Sequence, residues 1–213
     1  MIKIALLIDS KNNWIDNYFT KRTFKSSAKF NFNIIKKQKK IKKYDIVFVI
    51  GYTKILKKNF LKNNKLTLII HESNLPKGKG FSPVQWQLIK GKTKLTICLV
   101  EASHGVRVDS GRIYLKSNFK IPETSLLPEI RKYQFLATIN IIKKFLKIYP
   151  NIYPKKQRGQ STYFKKRTLL DNEININKSI KKNFNLMRIA DNDRYPSYFW
   201  FKNKKFIIKI FDN

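Results

Sequence analysis

The chain has 213 residues, with 46 Lys and Arg against 13 Asp and Glu, for a formal net charge of +33. A hydrophobic share of 42% and an aromatic share of 14% exclude a disordered polyelectrolyte, and the length allows one domain with a sizeable core plus a small appendage. The charge does not by itself define a nucleic-acid-binding protein: most of it is Lys, scattered along the whole chain among Ile, Asn, Phe and Tyr, a texture that AT-rich coding bias also produces.

The first run, KIALLI at 3–8, reads as a buried strand, followed after Asp9 and Ser10 by a helical segment around Trp14 to Lys21. FNFNII at 30–35 suits a strand, and the basic run KKQKKIKK at 36–43 a solvated connector. YDIVFVIG at 44–51 is a continuous apolar run closed by glycine, as in a parallel strand covered on both faces. TKILKKNFLKNN has apolar residues at 55, 56, 60 and 61, near helical spacing, and KLTLIIHE at 65–72 is another apolar run. Strand, helix and strand in this order predict an open parallel sheet. Ser82 and Pro83 suit the N-cap and first turn of a helix that Gly91 ends. KLTICLVEA at 94–102 is a further strand, and the polar loop SHGVRVDSG leads to another, RIYLK. A long amphipathic helix is expected over 125–149, with apolar positions 126, 130, 133, 137, 141, 145 and 148. Pro128 is tolerated there because it falls in the first turn.

From Pro150 the texture changes. NIYPKKQRGQSTYFKKRT reads as irregular and exposed. Asn177 suits the cap of a second helix with Ile180, Phe184 and Met187 on its face, and SYFWF and KFIIKI read as a terminal hairpin. The expectation is therefore an α/β fold: a Rossmann-like, open, mostly parallel sheet over 1–150, with a linker, helix and hairpin appendage over 151–213. The hairpin edge leaves room for pairing with a second copy.

The lone Cys98 lies in an apolar run, so it reads as core, with no disulfide framework. MIKIALLIDS is short for a secretory leader and carries Asp9, and no apolar run approaches the ~20 residues that span a bilayer. These features point to a cytoplasmic protein with no membrane partner, and no metal ligands are assigned.

In an open parallel sheet, ligands bind at the carboxyl ends of strands. His71 lies at such an end, and Asp109 in the loop after a later strand. A carboxylate that holds an imidazole makes a general base, because it fixes the tautomer and stabilises the cation. Composition alone leaves the alternative of a surface histidine and a turn-forming Asp-Ser-Gly.

HESNLPKGKGFSP at 71–83, with VDSGRIY at 108–114, resembles the formyltransferases that use 10-formyltetrahydrofolate. The matching residues are His71, Ser73, Leu75-Pro76, Lys79-Gly80 and Asp109-Ser110-Gly111-Arg112-Ile113, with echoes at 159–168, 176–180 and 185–199. The branch it looks most like is that of sugar N-formyltransferases of nonulosonic (pseudaminic-type) and other surface-glycan pathways. The resemblance implies a Rossmann-like fold and transfer of a formyl group to a primary amine. His71 would do the proton work or stabilise the oxyanion, and Asp109 would orient it. Ser73, Asn74, Leu75, Pro76, Gly78 and Gly80 would shape the folate pocket, and Lys77, Lys79 and His104 would contact the substrate. Trp86, in a predicted helix, reads as packing.

The family pattern has an asparagine two residues before the histidine, where its amide holds the formyl oxygen. Ile69 stands there and cannot donate. Asn74 and His104 are the candidate replacements. Three functions follow. The first is N-formylation of a nucleotide-linked amino sugar. The second is methionyl-tRNA formyltransferase, with the charge facing RNA phosphates, although about 60 residues after Pro150 are few for a tRNA-recognition domain. The third is a basic nucleic-acid-binding protein without catalysis, which leaves the ordered loop blocks unexplained.

Overall fold

The computed structural model describes all residues except 10–12, 21–22, 39–42, 103–104 and 106–107. In chain order the elements are β1 (Ile2–Ile8), α1 (Asn13–Tyr18), β2 (Phe30–Ile35), β3 (Ile46–Ile50), α2 (Lys58–Lys62), β4 (Leu66–His71), β5 (Lys79–Gly80), α3 (Pro83–Ile89), β6 (Lys94–Glu101) and β7 (Ile113–Lys120). They continue with α4 (Leu127–Ile148), β8 (Tyr163–Phe164), a 3₁₀ turn at Leu169–Asn172, α5 (Ile180–Met187), β9 (Ser197–Phe201) and β10 (Lys204–Ile208). Six strands form one sheet in the order β2-β1-β3-β4-β6-β7. Pairings among β2, β1, β3 and β4 are parallel, and β6 runs antiparallel between β4 and β7. The fold is mixed α/β, with the mostly parallel, Rossmann-like sheet that the apolar runs predict.

The continuous apolar runs have a direct cause: β3 and most of β1 are buried on both faces. Ile4, Leu6, Phe48, Leu68, Ile97 and Leu99 pack against Ile141, Ile142 and Phe145 of α4. On the opposite face Ala5, Leu7, Val47 and Val49 pack with Phe60 of α2. Among the described residues no helix is long and apolar enough to cross a membrane.

Several boundaries differ from expectation. The long helix starts at Leu127, with Pro128 in its first turn as predicted, but Ile148 at its end is 42% exposed. Ser82 precedes α3 in a left-handed conformation (φ 50°) and caps nothing with its side chain. Ser179, not Asn177, caps α5 by accepting from the Lys182 backbone N–H. The helix turns Asn183 and Met187 inward, and Ile180 stays exposed. β7 runs on to Lys120 because its ladder with β6 reaches Lys94. Lys202 and Asn203, with φ of 45° and 59°, close the β9–β10 hairpin in the paired positive-φ geometry that matches strand twist. The C-terminus of the first predicted helix at Lys21 and part of the basic connector at 36–43 lie outside the described residues.

The segment read as irregular and exposed holds a short strand. Tyr163 and Phe164 of β8 pair in parallel with Lys79 and Gly80 of β5. The region after 150 is fastened to the sheet-bearing part elsewhere too. Lys155 bridges Ile113, and Arg188, 1% exposed, donates from Nη1 to the carbonyls of Pro122 and Ser125 just before α4.

Candidate active site

β4 alternates sides along its length. Leu68 and Ile70 face α4, whereas Ile69 and His71 point to the opposite face, so the strand delivers His71 at its carboxyl end beside the loop at 72–80. That loop folds on itself first. The Ser73 hydroxyl donates to the Lys77 carbonyl at 2.8 Å, and the Leu75 and Lys77 N–H groups donate to the carbonyls of Ser73 and Asn74. The Leu75–Pro76 bond is cis. The loop is then tied to β8: the Gly78 N–H donates to the Thr162 hydroxyl at 2.8 Å, and the Lys79 N–H to the Thr162 carbonyl at 2.9 Å. A side chain at Gly80 (φ 96°) would place its Cβ 2.4 Å from the Phe164 carbonyl oxygen, so only glycine allows this approach.

The loop closes over the two residues predicted to do the chemistry. His71 Nε2 donates to the Gly78 carbonyl at 2.8 Å, and its Nδ1 lies 3.5 Å from Asp109 Oδ2. The same carboxylate oxygen accepts the Gly80 N–H at 2.9 Å. His71 and Asp109 are 6% and 7% exposed. The structure thus brings together two side chains 38 positions apart. The Nε2 contact also fixes their relation: in the neutral ring the remaining lone pair is on Nδ1, facing Asp109.

Asp109 is itself held. It sits at φ 55°, a conformation Asp tolerates. Gln157 Nε2 donates to the Asp109 carbonyl at 2.7 Å and to the Gly111 carbonyl at 2.8 Å. A Cβ at Gly111 would stand 1.8 Å from the Glu101 carbonyl oxygen. Gln157 and Thr162, which support the two loops, went unnoticed in the sequence. Both lie in the polar stretch after Pro150, with no periodicity to mark them.

Other predicted residues take varied places. Lys79, expected to reach the substrate, is 5% exposed, and its ammonium donates to the Ser110 hydroxyl at 2.8 Å. It therefore bridges the two loops. Lys77 and Asn74 are exposed, but the Asn74 Oδ1 accepts from Lys116 Nζ at 2.7 Å, and the same ammonium reaches the Leu75 carbonyl at 2.7 Å. Lys116, Cys98 and His71 are register partners across β7, β6 and β4, so Lys116 is a second residue the sequence did not advertise. Cys98 is core, as expected: burial pushes its thiol up, and its sulfur lies 3.1 Å from the Ser73 carbonyl. Trp86 Nε1 donates to the Lys165 carbonyl, and Lys165 and Arg167 lie over its ring. His104 lies outside the described residues.

Ile69 sits half buried between two apolar groups, the Val47 and Val49 side and the cluster of Leu75, Val100 and Ile113. On the other side of the strand end, Glu72 accepts from Gln134 Nε2 at 2.9 Å, and its backbone carbonyl accepts from Gln87 Nε2. Burial pushes the Glu72 carboxyl up, against the opposing pull of Gln134 and His71.

The formyl transferase family model matches residues 6–133, and the chain belongs to that family. It is 31% identical over 170 residues to the methionyl-tRNA formyltransferase of Rickettsia massiliae, a match covering 79% of this chain and 55% of that protein. The chain spans about half the length of the curated relatives it matches first. Among solved structures, a methionyl-tRNA formyltransferase from Clostridium thermocellum superposes with a TM-score of 0.81 at 21% identity, covering 99% of this chain and 92% of that one. A 4-N formyltransferase from Francisella tularensis gives 0.73 at 16% identity, over 98% and 97% of the two chains. HypX from Aquifex aeolicus, solved with tetrahydrofolic acid, gives 0.70 at 14% identity, over 98% of this chain and 37% of that one. These three share the fold, and the named formyltransferases are enzymes.

Proposed function

We propose that this chain transfers a formyl group from 10-formyltetrahydrofolate to the primary amine of a nucleotide-linked amino sugar, of the kind used in surface-glycan synthesis. The observation that carries this reading is the pairing of His71 with Asp109 beneath the loop at 72–80. Transfer requires an amine to lose a proton as it attacks the formyl carbon. With Nε2 engaged by Gly78, the proton is taken at Nδ1, Asp109 stabilises the imidazolium that results, and Nδ1 would return the proton to the folate nitrogen as its bond to the formyl carbon breaks. Base catalysis of this kind contributes ~10²–10⁴-fold.

The reduced folate supplies the activated one-carbon unit when bound. The residues at the strand end fit such a donor through the imidazole–carboxylate pair, with Ile69 as an apolar neighbour and the loop at 73–80 as the wall. Leu75, 1% exposed, anchors that wall, and Gly78 and Gly80 let its backbone approach His71 and Asp109. Ile69 donates nothing to a developing oxyanion. Lys116 is a cation that reaches the loop on that face of the sheet, through Asn74 and Leu75.

The likeness to a sugar N-formyltransferase from Shewanella sp. across nearly the whole of both chains supports a sugar acceptor. A second reading, formylation of charged initiator tRNA, is supported by the Rickettsia massiliae relative and by the net charge of +33. Incubation with 10-formyltetrahydrofolate and, in parallel, a panel of nucleotide-linked amino sugars and methionyl-initiator tRNA separates the two. A sugar that gains one formyl group by mass is the expected result. Formylation of the tRNA alone replaces the first reading by the second, and formylation of neither overturns both.

A further inference from the structure

A cleft of about 300 Å³ opens at the same edge of the sheet as His71, but on the α4 side. Three segments far apart in sequence build it: α1 contributes Trp14, Asn17 and Tyr18, the first turns of α4 contribute Arg131, and the turn at 191–195 contributes Asp191 and Arg194. The aromatic wall is ordered, with the Trp14 and Tyr18 rings edge to face at 6.1 Å. Arg131 lies with its guanidinium carbon 6.0 Å from the Trp14 ring centre, and its Nη2 donates to Asp191 Oδ2 at 2.8 Å. The other oxygen of Asp191 accepts the backbone N–H groups of Asp193 and Arg194, so one carboxylate orients both arginine-bearing segments. Asp193 also lines the cleft, 89% exposed at its rim, with its carboxylate 3.7 Å from Lys209.

A half-buried tryptophan with the Arg131 guanidinium against its ring, and Arg194 lining the same cleft with its guanidinium carbon 5.5 Å from the Tyr195 ring centre, suit a flat π-system that carries anionic oxygens. The indole stacks on a base, and Arg presents planar N–H pairs to phosphate. Asn17 adds both a donor and an acceptor for a base edge or ribose hydroxyl. The volume is at the small end of ligand pockets, roughly 300–1,000 Å³, enough for a nucleoside unit. The cleft also adjoins the strand end that carries the proposed chemistry. Gln134, one helical turn beyond Arg131, hydrogen-bonds Glu72, the residue next to His71.

We propose that this cleft seats a nucleoside 5′-diphosphate, its base against Trp14 and its phosphates between Arg131 and Arg194. This rests on the reading that the formyl acceptor is nucleotide-linked, and it assigns the part of the protein that recognises the nucleotide.

Calorimetric titration of UDP, CDP, ADP and dTDP into the full chain and its Arg194→Ala and Trp14→Ala variants tests it. Arg194 is exposed, and its backbone contact to Asp191 survives truncation, so that variant keeps its fold. At least one diphosphate is expected to bind, and each substitution to weaken it roughly tenfold, the scale of one base–aromatic stack or one charge-assisted contact. Trp14→Phe, which keeps an aromatic face, is expected to lose less than Trp14→Ala. The proposal fails if no diphosphate binds, or if Arg194→Ala binds as the unaltered chain does. It also fails if a short RNA ending in CCA binds with Trp14 dependence while free diphosphates do not. Diphosphate binding with no formyl transfer to any sugar keeps the cleft and removes the reaction. Transfer that is unimpaired in both variants keeps the reaction and removes the cleft.

Discussion

The two sides of the β4 carboxyl end are built in opposite ways. On the His71 side the polar groups are tied to one another: Gly78 holds Nε2, Asp109 holds the Gly80 N–H and faces Nδ1, and Gln157 and Thr162 hold the loops from behind. On the α4 side an open cleft presents a half-buried Trp14 and an exposed Arg194. The difference suits the two tasks proposed for them. Proton transfer needs groups fixed to a fraction of an ångström, which buried hydrogen bonds supply. Recognition of a second molecule needs surface that is still uncovered.

The largest expected effect breaks the fixed side. His71→Ala removes the nitrogen proposed to take the proton and should lower kcat for formyl transfer by ~10²–10⁴-fold. Asp109→Asn keeps the shape and an acceptor for the Gly80 N–H but removes the charge that faces Nδ1, so it should lower kcat while leaving folate affinity nearly unchanged. Single-turnover transfer and folate binding, measured side by side, check both. A variant that loses binding and kcat together would make the pair structural.

A gain of function sharpens the same side. Ile69→Asn places an amide where the resemblance of the loop implies one, and an oxyanion donor is worth ~10²–10³-fold. Val100, Ile113 and Leu75 surround that position, so an amide there lacks partners in the resting protein, at a cost of about 1–3 kcal/mol. The expected outcome is a faster chemical step together with a lower Tm. A lower Tm with no change in rate would show that the oxyanion is met from elsewhere, with Lys116→Met as the next variant.

Much of the fixed side was legible in the residues. β3 is an unbroken apolar run because both of its faces are covered, and His71, Gly78, Gly80 and Asp109 form a recognisable series. What escaped is what long-range pairing decides. Tyr163 and Phe164 carry no periodicity, and they are a strand only because Lys79 and Gly80 lie alongside. Lys79 reads as a solvent-seeking lysine until Ser110, 31 positions away, gives its ammonium an inward partner. Trp14, Arg131 and Arg194 were invisible as a group, since 180 residues separate the first from the last and each alone is an ordinary surface residue.

Gly80→Ala tests whether the fixed side depends on its backbone contact with β8. The added Cβ would meet the Phe164 carbonyl oxygen at 2.4 Å, in a left-handed conformation that L side chains rarely adopt. Backbone must move on one side or the other, at a cost of roughly 1–3 kcal/mol. Because the same residue donates to Asp109, the Asp109 carboxylate should shift as well. A fall in Tm of several degrees with a loss of transfer out of proportion to it is the expected result, measured by thermal melts and kcat on the same preparation.

The smallest expected effect lies on the open side and is a pH effect. Burial pushes the Asp191 carboxyl up, but Arg131 and the N–H groups of Arg194 and Asp193 outweigh it, so in the folded protein the group lies below the ordinary carboxylate range. A carboxyl depressed on folding binds protons more weakly in the folded than in the unfolded chain. Its stabilisation is therefore complete above the unfolded value, near pH 4, and is lost as the pH falls through the lower folded value. Arg131→Met removes the charge that contributes most to the depression, and with it the guanidinium that lies against the Trp14 ring. The variant should be less stable than the unaltered chain by about 1 kcal/mol at pH 7, and the gap should narrow as the pH is lowered below 4. Urea unfolding at pH 7 and at pH 3.5 measures it. A gap that stays the same at both pH values would mean that Arg131 acts through packing on Trp14 and not through the carboxylate, and the turn at 191–195 would then owe its position to its own backbone hydrogen bonds.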